Sequence, residues 1–454
     1  MKKILLAALC VAMAAPAFAR DHQLNGYFRV RGIMADLSKQ KNNDPDMLVD
    51  QRFRAKYTLG LNEYLKVVYF GEVDFQWGDD SYATARNDGG ALGGDTVNLE
   101  TKNLYLEVKV PETPIAATLG LQGYGDNYDA VLFSADMAGL KLGAKFGPAD
   151  VTLGWFKWQE GEATNNNSPG GSAQEDDIDL YALNLGFKPM DALKVGLDGY
   201  YVNANAASNG KANGLDNLPS AADLYYVGVN ADYKAAMFGV KGWFLYGAGT
   251  LKASAATRNE EIDIAGWAAS AKATTKIGPV GLGLRLAYFS ADDDMTDTDY
   301  DALATPAIGE TFSFYDENLM LMVNDAFWNT YGQYGFAMTD AAYKGYGLWF
   351  AALSGSFVPP ALKNMYVKAG VGYFAAIEDD QKDTDTKREG TVLGTEVAVR
   401  VGYKMAEALD LSINAATAFL GDFYDKTATD LDDGSTGNDP DNPYVVYLMA
   451  NLSY

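Results

Sequence analysis

Six basic residues near the N-terminus, Arg29, Arg31, Arg52, Arg54, Lys56 and Lys66, fall at two-residue spacings or on successive extended stretches. Glu72 and Asp74 repeat the spacing shortly after Lys66. Side chains two apart point to the same face of a strand, so this pattern predicts a basic ladder beside a short acidic one. Where such a wall lines a conduit, rings of fixed charge tune which ions pass. Pairing across the Asn62–Tyr64 turn sets Glu72 opposite Arg54 and Asp74 opposite Arg52. Each such pair is worth about 0.2–1 kcal/mol. Two uses stay open at this point: a wall that attracts or orients anions, and mutual neutralisation that only braces the sheet. Arg29, Arg31 and Lys56 have no equally obvious partner, so a net positive patch is expected.

Other reactive chemistry is scarce. The only histidine, His22, stands alone near the start of the chain, and hydrolases of the Ser–His or Asp–His kind need one beside the nucleophile. An enzyme is therefore not expected. No zinc spacing, C-x-x-C-H haem motif, Walker loop or fitting G-x-G-x-x-G occurs. Acidic residues crowd two runs, Asp292–Asp294 with Asp297, Asp299 and Asp301, and Asp430, Asp432, Asp433, Asp439 and Asp441. Neither follows the EF-hand pattern. Solvated loop charge and weak Ca²⁺ or Mg²⁺ bridging to lipopolysaccharide are the two readings, with no other cofactor expected.

The elements that would position the ladder alternate with period two. From Val49 to Leu61, the odd positions Val49, Phe53, Ala55, Tyr57, Leu59 and Leu61 are apolar, joined by Gln51. The even ones between them are Asp50, Arg52, Arg54, Lys56, Thr58 and Gly60. The same dyad recurs at Asn103–Val110, Leu140–Phe146, Gly281–Tyr288 and Glu396–Tyr403. Eighteen strands are predicted, from 24–36 to 443–454, with 16 or 20 as alternatives. The Ala-rich stretch near Trp267 and the span 291–344 read least clearly. Short turns such as Pro111–Pro114, Gly147–Asp150 and Gly278–Pro279 alternate with long polar loops, the arrangement of a transmembrane β-barrel. Trp243, Trp267 and Trp349 are expected in aromatic girdles or subunit contacts.

Met1–Ala19 reads as a signal peptide: Lys2 and Lys3, an apolar stretch from Ile4 to Ala15, and a small-residue cleavage site Ala17-Phe18-Ala19. The barrel would then span 20–454. Cleavage removes Cys10, the only cysteine, and leaves 34 basic residues against 60 acidic ones, a net charge near −26. Nucleic acid is an improper partner for such a charge. The first strand is expected within a few residues of Arg20, which leaves no room for the plug of an active-transport receptor.

The span 291–343 is too long and too apolar for an ordinary loop. It carries Thr311–Tyr315, Asn318–Val323, Phe327, Trp328, Tyr331, Tyr334 and Phe336. A connection of this kind packs against something. Asn318, Phe327, Trp328 and Tyr331 are candidates for a constriction if it folds into or over the lumen. An outer flap or a subunit contact is the competing reading.

Tyr444, Val446, Leu448, Ala450, Leu452 and Tyr454 share one face of the last stretch. The terminal aromatic Tyr454 resembles the C-terminal signal read by the barrel-assembly machinery, where Phe is usual. With it, the whole chain from Arg20 resembles the large porins of Gram-negative bacteria and, more loosely, the OmpJ-type porins of metal-reducing bacteria. The resemblance implies an outer-membrane homotrimer in contact with lipid and lipopolysaccharide, passing small hydrophilic solutes and ions. The alternative is a barrel that sheaths a protein partner such as a multihaem cytochrome.

Overall fold

The computed structural model describes residues 21–37, 44–80, 89–94, 97–159, 177–204, 221–252, 261–294, 297–306, 308–309, 317–324, 327, 335–381, 388–425 and 440–454. The predicted signal peptide 1–19, the constriction candidates Trp328 and Tyr331, and the acidic run 430–439 lie outside them.

Alternating residues produce eighteen long strands. They are β1 (Asp21–Asp36), β2 (Asp46–Gly60), β3 (Leu65–Gln76), β4 (Glu100–Lys109), β5 (Ile115–Gly125), β6 (Phe133–Phe146), β7 (Ala149–Gln159), β8 (Ile178–Met190) and β9 (Leu193–Ala204). They continue as β10 (Ala221–Lys234), β11 (Phe238–Lys252), β12 (Glu261–Ile277), β13 (Val280–Phe289), β14 (Leu348–Phe357), β15 (Met365–Ala375), β16 (Val392–Lys404), β17 (Leu409–Leu420) and β18 (Tyr444–Ser453). Each pairs antiparallel with its neighbours in sequence, and β1 pairs with β18 from Tyr27↔Ser453 to Asp36↔Tyr444. The sheet is therefore a closed 18-stranded antiparallel barrel. Closure satisfies every edge, which a sheet in lipid requires. The Ala-rich stretch around Trp267 is a full strand, β12.

At one end the connections are brief. Gly147 and Gly278 hold φ of +60° and +58° ahead of Pro148 and Pro279. Only a residue without Cβ takes the first position of such a two-residue hairpin turn at no cost. At the other end lie the long connections, including 290–347.

The outer face is apolar: Leu104, Leu119, Leu153, Leu197, Leu284 and Leu353 are all exposed. An aromatic belt crosses it near the long-loop end, where Trp155 faces Tyr181, Tyr181 faces Tyr201 and Tyr201 faces Tyr225 across successive strands. Tyr246 faces Trp267, and Tyr288 faces Trp349, continuing the belt. Phe146, Phe187, Phe238, Phe357, Tyr403 and Tyr454 are exposed at the short-turn end. Two aromatic girdles flanking an apolar band mark a barrel built to sit in a membrane. Trp267 and Trp349 belong to the outer face, but Trp243 does not: it points inward, buried, and donates Nε1–H to Asp129 at 2.6 Å.

The interior is not polar throughout. In the long-loop half, inward-facing Phe133, Phe156, Leu180, Val202, Leu224, Leu245, Phe289 and Phe350 form a buried apolar core. Apart from the charged pairs of β1–β3, polar and small residues dominate the inner face toward the short-turn end.

Candidate functional site

The apolar core exists because two connections fold inward and supply its other half. The first is Asp126–Leu132, between β5 and β6. The Asp126 carboxylate accepts backbone N–H bonds from Tyr128 (2.7 Å), Ala130 (3.1 Å), Leu132 (2.6 Å) and Phe133 (3.0 Å), which curls the connection on itself. Burial lifts this carboxyl to about 6, against the downward pull of those N–H groups. The curl sends the next side chains across the barrel. Asn127 and the Tyr128 hydroxyl donate to Asp198 of β9 at 2.9 and 2.8 Å, and Asn184 and Asn230 complete its shell at 2.7 and 2.8 Å. Asp129 reaches Lys241 of β11 (2.7 Å) and Arg285 of β13 (2.8 Å). Burial pushes the Asp129 carboxyl up, but the Arg285 and Lys241 charges outweigh it and hold it below its ordinary value.

The second is the span between β13 and β14. Its Ile308–Gly309 piece pairs parallel with Phe133–Ser134 of β6. Ala304 accepts a hydrogen bond from Tyr226 of β10 at 2.9 Å. Glu317 meets Arg285 at 2.5 Å and Lys272 of β12 at 2.8 Å. Beyond it, Glu396 of β16, fully buried, accepts the successive backbone N–H groups of Met320 (2.5 Å), Leu321 (3.2 Å) and Met322 (2.8 Å). Phe327 packs edge-on against Tyr447 of β18 with centroids 5.5 Å apart, and under the Arg31 guanidinium at 5.3 Å. These partners lie on inward faces of strands around the whole barrel, so the span runs inside it. Asn318 is part of this run, at φ +61°, with its amide donating to Ala369 at 3.3 Å.

Fit against the wall is close. A Cβ added to Gly370 of β15 would lie 2.5 Å from the Glu317 carbonyl oxygen, and one on Gly228 of β10 would lie 2.4 Å from the Tyr128 hydroxyl. Gly370→Leu is accordingly expected to displace the inward span while the strand pairing survives, read as a gain in protease cleavage within 317–324 on an intact barrel. Unchanged cleavage would contradict that fit.

The wall charges fall into rows at common register. Lys241 faces Lys272, and Lys272 faces Arg285, across β11, β12 and β13. Like charges directly opposed destabilise a sheet. Asp129 and Glu317, one from each inward connection, offset that repulsion here.

The predicted ladder forms a second group. Arg52 faces Asp74 and bonds it at 2.6 Å, lies 3.3 Å from Glu72, and Arg54 also pairs with Glu72. Arg31 is paired as well, with its Nε 2.9 Å from Asp50, which corrects its expected lack of a partner. Arg29 faces Arg52 across the hairpin. Its Nε is buried with no hydrogen-bond partner among the described residues. Lys56 is partly buried on the same inward face, opposite Asn25 and Phe70, and Lys66 faces Glu107.

A third row escaped sequence reasoning: Lys368 of β15 faces Arg400 of β16. Arg400 bonds the neutral Asn414 and the Tyr447 hydroxyl, the latter at 3.3 Å, and Lys368 lies over the Tyr366 ring at 5.7 Å. Asp198, Glu317 and Glu396 were likewise missed as anchors. For Asp198 and Glu396 the only signal was a lone acidic residue on the inward face of an otherwise small or apolar stretch (Asp198 in Gly196–Val202, Glu396 beside Ala398); Glu317, next to Asp316 in a connection, gave none. Tyr454 lies on the outer face, its ring stacked on Phe53 at 6.1 Å and its hydroxyl donating to the Arg54 carbonyl at 3.0 Å. Among the described residues no group of three or more His, Cys, Asp or Glu is arranged to hold a metal ion.

No protein-family model and no curated protein matches the sequence. Solved structures share its architecture. OccK8 (OprE) of Pseudomonas aeruginosa aligns with a TM-score of 0.56 at 11% identity, over 96% of this chain and 99% of that one. The outer membrane protein OpdK of the same organism gives 0.54 at 11%, over 96% and 100%. OccAB1 of Acinetobacter baumannii gives 0.55 at 14%, over 96% and 97%. At these identities the likeness is one of fold, and the fold is that of outer-membrane porins.

Proposed function

We propose that this barrel is a passive outer-membrane channel for small hydrophilic solutes, narrowed from within by its two inward connections and biased toward anions. One observation carries the bias. Among the described residues, Arg29, Lys368 and Arg400 face inward, are partly exposed and bond no carboxylate, whereas Asp50, Glu72, Asp74, Asp129 and Glu317 are bound to cations and Asp198 and Glu396 are buried under hydrogen bonds from neutral donors. The field left over in the wall is positive, and a low-dielectric wall strengthens it. OpdK, one of the fold neighbours, was crystallised with vanillate, so a small aromatic carboxylate is the first organic solute to try. The lumen is occupied by the chain's own segments, which speaks against a threaded cytochrome.

Replacing Arg29, Lys368 and Arg400 together by Gln is expected to shift the reversal potential in a KCl gradient toward zero or the cation side. The single-channel step should stay within a small factor of the original. A reversal potential that does not move would remove these three residues from the selectivity of the channel.

A further inference from the structure

The charge of the protein is not spread evenly along the barrel axis. The chain carries a net −24. Yet toward the short-turn end the inward positions hold Lys194, Lys276 and Lys404, exposed, and Lys56, Lys141 and Lys368, partly buried. Acids on the same stretch are fewer: Asp232 faces Lys194 and Asp410 faces Lys404, while Glu107 and Asp150 face two further lysines, Lys66 and Lys145. The long-loop end has the opposite sign. Asp44, Asp80, Asp293, Asp297, Asp299 and Asp441 are exposed there. Its described cations are few, and Lys157 among them is taken up by Asp177 and Asp179 at 2.8 and 3.3 Å.

We infer that the lumen is bipolar, and that the channel rectifies: it conducts ions better under one polarity than the other. The inference rests on the channel reading above. Exposed charges act over roughly 10 Å at 0.1 M salt and about 3 Å at 1 M. A strand of ten or more residues rises about 3.3 Å per residue, so the two charged ends lie farther apart than the screening length and act on the ions separately. The acidic end concentrates cations and the basic end concentrates anions. When the long-loop side is positive, cations enter through the acidic end and anions through the basic end, and both accumulate in the narrow middle. Current is then high. Reversing the polarity draws each ion out through the end that favours it and depletes the middle.

The test is the current–voltage relation of single channels in planar bilayers. An Asp441→Cys variant carrying biotin reports, by streptavidin added to one chamber, which chamber the long loops face. The expected result is a current ratio of roughly two or more between polarities at 0.1 M KCl, larger with the long-loop side positive, falling toward one at 1 M. Asp293→Asn with Asp297→Asn and Asp299→Asn should reduce the ratio, as should Lys141→Gln with Lys368→Gln and Lys404→Gln. Channels with symmetric current at 0.1 M, the reverse polarity, or an asymmetry unchanged at 1 M would overturn the bipolar lumen while leaving the channel standing. Absence of any conductance step would overturn the channel reading and this inference with it.

Discussion

Deleting Asn318–Phe336 and closing the gap with a Gly/Ser linker is expected to raise single-channel conductance several-fold. This stretch includes Leu319–Val323, all buried against the inner wall, and Phe327, seated between Arg31 and Tyr447. Removing it opens cross-section in the half of the lumen that is otherwise a packed apolar core. The eighteen strands should remain, because each is held by ladder bonds to its own neighbours and the β13–β14 connection can be long or short at little cost. Far-ultraviolet circular dichroism and heat-modifiable mobility check that the barrel is intact. Conductance unchanged on an intact barrel would mean that the stretch does not narrow the pathway.

Arg285→Ala is expected to have the largest effect of any single substitution. Its guanidinium is 1% exposed and binds Glu317 of one inward connection, Asp129 of the other, and the Ser270 hydroxyl at 2.9 Å. Breaking a buried ion pair by removing one partner costs about 3–5 kcal/mol, since the charge left behind has lost both water and partner. Here two carboxylates are affected at once, although Lys272 and Lys241 keep part of their compensation. Both connections should loosen together, seen as rapid flicker in the open-channel current and earlier proteolysis at 126–132 and 317–324. Lys241→Ala is the control. That lysine's side chain is 43% exposed, so its loss is expected to cost about 1 kcal/mol or less and leave the current quiet. Equal effects of the two substitutions would show that Arg285 does not join the connections.

Much of the barrel is legible in the residues themselves, and the reason is lipid. One face of each strand must be apolar along its full length, so period two survives even where the inner face varies. The same logic explains where reading fails. In the long-loop half the inner face is apolar too, so Trp243 and Trp267 look alike in sequence although one points inward and the other outward. Arg52–Asp74 and Arg54–Glu72 could be paired because a four-residue turn fixes the register of β2 and β3. Arg31–Asp50 could not, since the longer β1–β2 connection hides the register. Apolar content showed that the span 291–343 must pack, but its seats on Arg285 and Glu396 depend on partners tens of residues away. The Lys368–Arg400 row depends on the pairing of β15 with β16 across another long loop.

The most direct test is the reversal potential of the reconstituted protein in a planar bilayer under a KCl gradient. Discrete conductance steps with a reversal potential of the sign set by chloride are expected. No steps, or steps reversing at the potassium side, would contradict an anion-biased channel.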